Sequence, residues 1–176
     1  MIIFFGLAGS GKSVQSSMLS EVIGWRHISA GALLRSQNSQ QLQSDMMSGK
    51  LVNYQVTNQL MRQVLDEAQD KLIVDGYPRQ IEQARWLIDE HRKIDVCFVL
   101  DVTVEIIKAR LALRGRKDDQ ETIIDERVKV FENQTLEVVN FFKSNGVKVV
   151  HIDGNQTVEQ VHQNILKEMK NVFTTK

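Results

Sequence analysis

Three observations predict an α/β fold in which a parallel sheet is covered by helices on both faces. Short apolar runs alternate with longer helical patterns along the chain. Those runs are rich in Ile, Val and Phe, as strands buried on both faces must be. A glycine-rich stretch from Gly6 to Gly11 separates the first run from the first helical pattern. The strand-like runs fall at residues 1–5, 25–28, 71–75, 95–100 and 147–152. Helical patterns occupy 14–23, 32–68, 81–90, 104–114, 121–143 and 158–173. Roughly 40 residues separate the second run from the third, more than one crossover helix needs. Residues 29–65 are therefore expected to fold as a helical lobe inserted on the sheet, able to carry a second substrate.

With 176 residues, one domain spanning 1–176 is expected, and it can bury roughly 70% of its unfolded surface without staples. Lys plus Arg and Asp plus Glu both number 22, so no global field favours nucleic acid or an acidic membrane. Neither is expected as a partner. The N-terminus has no basic region typical of a signal peptide, and no apolar run approaches a membrane span. The single cysteine, Cys97, lies in an apolar run and reads as a core residue. It suits a reducing cytoplasm, where the chain is expected to work. The four histidines are scattered without metal-like spacing, and Trp25 and Trp86 read as packing residues. The sequence fixes no oligomeric state, and a monomer is the simplest expectation.

The segment Gly6-Leu7-Ala8-Gly9-Ser10-Gly11-Lys12-Ser13 fits G-x-x-x-x-G-K-[ST], a phosphate-binding loop. Its glycines let backbone N–H groups turn inward around an anion. Lys12 can reach the outer phosphates, and the Ser13 hydroxyl suits a magnesium ion. A glycine-rich surface turn would show the same spacing. The strand before the loop and the helix after it are what the phosphate reading also requires.

Two further sets of residues belong with this loop. Asp75-Gly76-Tyr77-Pro78-Arg79 follows the third strand and holds the only proline of the chain. A sharp turn there brings Arg79 to the carboxyl ends of the strands, where open parallel sheets bind ligands. Asp75, at the strand tip, can help hold magnesium through water. An ordinary strand-to-helix turn with a surface arginine is the alternative. Arg110 and Arg114 are four residues apart and share a helix face. Arg116 and Arg127 follow, the latter on a helix opened by Asp118, Asp119 and Glu121, whose acidity favours a helix N-terminus. Such charges usually form a solvated face. Beside a phosphate loop, forked and permanently charged guanidinium groups suit migrating phosphoryl charge.

At this point the chain resembles the adenylate kinase family of nucleoside monophosphate kinases. The resemblance covers nearly the whole length. It is carried by GLAGSGKSVQ from Gly6, HISAGALLR from His27, GKLVN from Gly49, VDGYPRQIEQA from Val74, RLALRGRKDDQETIIDER from Arg110 and HIDG from His151. It implies a phosphate-loop nucleoside monophosphate kinase fold with five parallel strands. It also implies an acceptor-binding lobe near 29–58, a cis Tyr77-Pro78 bond and a minimal lid near 114–118. Many members carry a larger lid, some with zinc held by cysteines. Here one glycine joins Arg114 to Arg116, so no zinc is expected.

The resemblance implies phosphoryl transfer from ATP to a nucleoside monophosphate, with Mg²⁺. Gly9, Ser10, Gly11, Lys12, Ser13 and Val14 should hold the donor phosphates. Arg110 should lie over the donor base, Arg114 on its phosphates, and Gln156 beside the adenine. On the acceptor side, Ala30, Lys50, Leu51, Val52, Gly76 and Gln83 should line the nucleoside, with Arg35 and Arg79 on its phosphate. Arg116 and Arg127 should bridge both sides, so that Lys12, Arg79, Arg116 and Arg127 form the catalytic set. Magnesium should meet Ser13 and Asp75, directly or through water.

Four positions depart from the family pattern. Ser13 and Val14 stand where Gly and Thr usually follow the loop lysine, Ala32 replaces an Asp, and Ala30 replaces a Thr. Enzymes for UMP and CMP often carry that alanine, whereas Gln83 matches the AMP pattern. A freely flipping amide can pair with either base class, so UMP or CMP stays open beside the preferred AMP. A kinase for small alcohols, with Asp75 as base, and a nucleotide-binding regulatory protein without catalysis also remain open.

Overall fold

The computed structural model describes residues 1–68, 71–116 and 118–174. Five parallel strands form one sheet: β1 (Ile2–Phe5), β2 (Arg26–Ser29), β3 (Leu72–Asp75), β4 (Val96–Asp101) and β5 (Val149–Asp153), in the order β2-β3-β1-β4-β5. The helices are α1 (Lys12–Ile23), α2 (Ala30–Ser36), α3 (Gln40–Met47), α4 (Tyr54–Ala68), α5 (Ile81–Asp89), α6 (Val104–Arg114), α7 (Glu121–Val130), α8 (Leu136–Ser144) and α9 (Val158–Thr174).

The period of two along each strand splits the core into two layers. Ile3, Phe5, Val74, Cys97 and Val99 face Met61 and Leu65 of α4, Ala84 and Leu87 of α5, and Val138 and Phe142 of α8. The alternate residues Ile2, Phe4, Ile73, Val96, Phe98 and Leu100 face Leu19 of α1 and Val161, Ile165 and Met169 of α9. The rings of Phe4 and Phe98, neighbours in register on β1 and β4, lie 5.3 Å apart. Each such ring contributes about 1.5–3 kcal/mol by leaving water. Among the described residues, no helix is long and apolar enough to cross a membrane.

Three segments differ from the sequence expectation in detail. The helical region at 32–68 is three helices, with Ser39 capping α3 through a bond from the Leu42 N–H. The stretch at 121–143 is interrupted by a π-helical turn over Phe131–Thr135 between α7 and α8. The first helix starts at Lys12, two residues earlier than its apolar pattern, because Gly11 caps it in a left-handed conformation. The Tyr77-Pro78 bond is cis.

Cys97 is fully buried in the first layer, and burial pushes its thiol proton affinity well up. Thiol reagents act on the thiolate. Labelling of native protein should therefore proceed no faster than global unfolding, as measured by mass spectrometry against a denaturant series. Rapid labelling under native conditions would contradict this packing.

Candidate active site

The three sequence segments meet at the carboxyl ends of the strands. The loop after β1 turns tightly: Gly9 has φ +88°, and a Cβ there would lie 2.9 Å from the Leu111 side chain of α6. Gly11 ends the loop without a side-chain cap, so the first N–H groups of α1 stay available to an anion. Lys12 is 7% exposed, and its Nζ donates to the Leu7 carbonyl at 3.1 Å.

Asp75 ends β3 beneath this loop and is 2% exposed. Its Oδ1 accepts from Ser13 Oγ at 3.1 Å and from Ser29 Oγ at 3.3 Å, while Oδ2 lies 2.7 Å from His27 Nε2. Burial opposes the charge, but the His27 hydrogen bond and the Lys12 charge win and hold its carboxyl below the usual carboxylate range. Among the described residues no group of three metal-ligating His, Cys, Asp or Glu side chains occurs. A carboxylate beside a hydroxyl nevertheless fits Mg²⁺, which keeps several waters and takes further oxygens from substrate phosphates.

Two cavities adjoin here. One is lined by all nine residues expected at the donor: Gly9, Ser10, Gly11, Lys12, Ser13, Val14, Arg110, Arg114 and Gln156. Arg110 reaches across this cavity, donating to the carbonyls of Gly154 at 3.0 Å and of Ser10 and Gln156 at 3.4 Å. The other is lined by Arg35, Lys50, Leu51, Val52, Gly76, Arg79, Gln83, Arg116 and Arg127. Lys12, Ser13, Ser29, Arg35, Arg114 and Arg116 belong to both walls.

Ala30 departs from its expected place. It is 1% exposed and packs in the core cluster with Met61 and Leu65, off the cavity wall. Gln83 also differs from the freely flipping amide of the sequence reading. Its Oε1 accepts from the backbone N–H of Arg79 at 2.7 Å and of Gln80 at 3.3 Å.

The arginines are held by carboxylates that the sequence showed only as helix-start acidity. Arg114 Nε donates to Asp119 Oδ2 at 2.9 Å, and Arg127 pairs with Asp118 while donating to the Met46 carbonyl at 3.3 Å. Helix α7 is opened instead by Glu121, which pairs with Lys108 at 2.9 Å. Arg35 and Arg116 make no side-chain hydrogen bond or ion pair among the described residues. Burial, then the Arg116 charge, lower the proton affinity of Arg35, yet guanidinium stays charged. The wall residues Gly31, Leu34, Met46, Gly49 and Thr57 were also missed. Gly31, Leu34 and Gly49 fall inside the segments HISAGALLR and GKLVN that carry the resemblance, which was the signal available for them. Of the lid expected near 114–118, Lys117 lies outside the described residues.

These features define a nucleotide-binding α/β protein with a phosphate loop and a second, arginine-lined cavity beside the first. A sequence model of the adenylate kinase family matches residues 4–147. An adenylate kinase from Prochlorococcus marinus is 32% identical over 96% of this chain and 97% of its own. One from Nocardia farcinica is 33% identical over 96% and 98%. An adenylate kinase 1 from Nostoc is 34% identical over 91% and 93%. The chain belongs to the adenylate kinase family.

Burial, followed by the charge of Arg79, pushes the Lys12 ammonium down to about 7. Phosphate oxygens favour its charged form, so ATP binding above neutrality should draw a proton onto Lys12. Affinity should then fall as pH rises through about 7, by at most about tenfold per pH unit. Calorimetry at about pH 8 in buffers of different ionisation enthalpy should record uptake approaching one proton, lost in Lys12→Met. No uptake would mean that the ammonium is fully charged before ATP arrives.

Proposed function

We propose that this chain transfers the γ-phosphoryl group of ATP reversibly to AMP, giving two molecules of ADP. The observation that carries the reading is the shared wall: one lysine and three arginines face both cavities at once. A phosphate oxygen of AMP attacks the γ-phosphorus, and the bond from that phosphorus to the bridging oxygen of ATP breaks. The acceptor is already an anion, so no general base is needed. The protein's work is alignment and neutralisation of charge. Lys12 and the loop amides hold the donor phosphates, with Arg114 beside them. Arg35 and Arg79 hold the acceptor phosphate. Arg116 and Arg127 follow the group in transfer.

Ser13 and Asp75 would hold Mg²⁺, directly or through water, and the ion would offset charge on the β- and γ-phosphates. Both Asp75 oxygens are already engaged by His27, Ser13 and Ser29. That favours a support role over proton abstraction and argues against an alcohol acceptor. The segment near 29–58 serves as the acceptor lobe and that near 114–118 as the lid. The reading has the chain acting as a monomer in the cytoplasm.

The test is a coupled assay of ATP with AMP, UMP and CMP, run also without an acceptor. AMP should be the preferred acceptor, and turnover restricted to UMP or CMP would reject it. With one glycine between Arg114 and Arg116, lid closure excludes less water. Hydrolysis relative to transfer should exceed that of long-lid relatives, and negligible phosphate release would reject this.

Ser13→Ala should raise the Mg²⁺ concentration needed for half-maximal turnover by about tenfold, the effect of one lost ligand or its orienting partner. An unchanged Mg²⁺ dependence would remove Ser13 from the metal site. Asp75→Asn should retain transfer to AMP at reduced rate, whereas complete loss in folded protein would restore Asp75 as a candidate base.

A further inference from the structure

Thr57 is a polar residue on the acceptor cavity wall that neither the motif nor the family pattern singled out. It lies on α4, is 5% exposed, and lines the same cavity as Gln83, itself 3% exposed. Its Oγ1 donates to the Asn53 carbonyl one turn back at 3.1 Å. A hydroxyl has one proton and two lone pairs. With the proton committed to Asn53, Thr57 offers only acceptor capacity to the cavity. Gln83 is committed in the opposite sense. Two backbone N–H groups occupy Oε1 and prevent the amide from flipping, and Nε2 has no partner among the described residues. Gln83 therefore offers only donors.

We propose that Thr57 is a specificity-determining residue, which accepts a hydrogen bond from the exocyclic amino group of the acceptor base while the Gln83 amide donates to the adjacent ring nitrogen. The inference rests on the AMP reading and deepens it. Adenine carries this pattern, an amino donor beside an unprotonated ring nitrogen. Hypoxanthine reverses it, with a carbonyl oxygen beside a ring N–H. It would set lone pair against lone pair at Thr57 and N–H against N–H at Gln83. A buried site built for one pattern rejects the other strongly, because its polar groups are left unpaired.

The experiment measures Kd and kcat/KM for AMP and for purine riboside monophosphate, which lacks only the amino group, in wild type, Thr57→Val and Thr57→Ser. Valine keeps the volume and removes the acceptor, and the Asn53 carbonyl keeps its backbone donor from Thr57 at 3.1 Å. Wild type should prefer AMP by about tenfold, the scale of one buried hydrogen bond. Thr57→Val should bring the ratio close to one, chiefly by weakening AMP, while Thr57→Ser should keep most of it. Inosine monophosphate should bind worse than either nucleotide in wild type. A ratio unchanged in Thr57→Val, or near one in wild type, overturns the role of Thr57. Turnover of AMP with either result leaves the phosphotransfer reading intact, so the two fail separately. Thermal melting of each variant separates an altered ratio from lost folding.

Discussion

The carboxylate of Asp75 joins the segments from which the site is built. It sits at the end of β3, receives His27 and Ser29 from β2, and receives Ser13 from the start of α1. The parallel pairing of β2 with β3 sets Ser29 directly beside Asp75, so the sheet register itself delivers these partners. A buried carboxylate is costly unless charges and donors surround it. Here Lys12 supplies the charge and three side chains supply the bonds. The same network fixes where the phosphate loop lies over the sheet, and through Ser13 it reaches both cavity walls.

A second constraint is the excess of positive charge. Seven Lys and Arg side chains line the arginine-rich cavity against the carboxylates of Asp75 and Asp118. Packing so many cations together works against folding, and the fold manages it unevenly. Asp118 and Asp119 hold Arg127 and Arg114, while Arg35 and Arg116 make no side-chain hydrogen bond or ion pair among the described residues. The cavity thus presents some arginines already paired with carboxylates and others that are not. Arg35 and Arg116 lie on the wall common to both cavities.

The fold and the residues that gather around the phosphate loop were legible in the sequence because their signals are local. Apolar runs of strand length marked β1, β3 and β4, and the glycine spacing placed the loop from Gly6 to Lys12. Details of the arginine-lined cavity were less legible because they depend on groups distant in sequence. The motif places Ala30 on the wall, but α2 turns it into the core. Nothing local to Gln83 stops its amide flipping, and the turn after Pro78 brings two backbone donors onto its oxygen. Asp118 and Asp119 were visible as charges, yet their partners follow from the three-dimensional turn between α6 and α7. Thr57 carried no signal, since a threonine in an amphipathic helix gives no indication of which cavity it faces.

The π-helical turn at Phe131–Thr135 has a consequence for how this chain tolerates change. It joins α7, which carries Arg127 toward the cavity, to α8, which lays Val138, Val139 and Phe142 on the sheet. A π turn holds one residue more than an α turn. Removing one residue there would rotate one helix against the other by roughly 100°. Either the arginine would leave the cavity or the apolar stripe would leave the core. The length of this segment is therefore fixed more firmly than its composition. Substitutions at exposed Glu132, Asn133 and Gln134 fall where the chain can absorb them. Insertions and deletions do not.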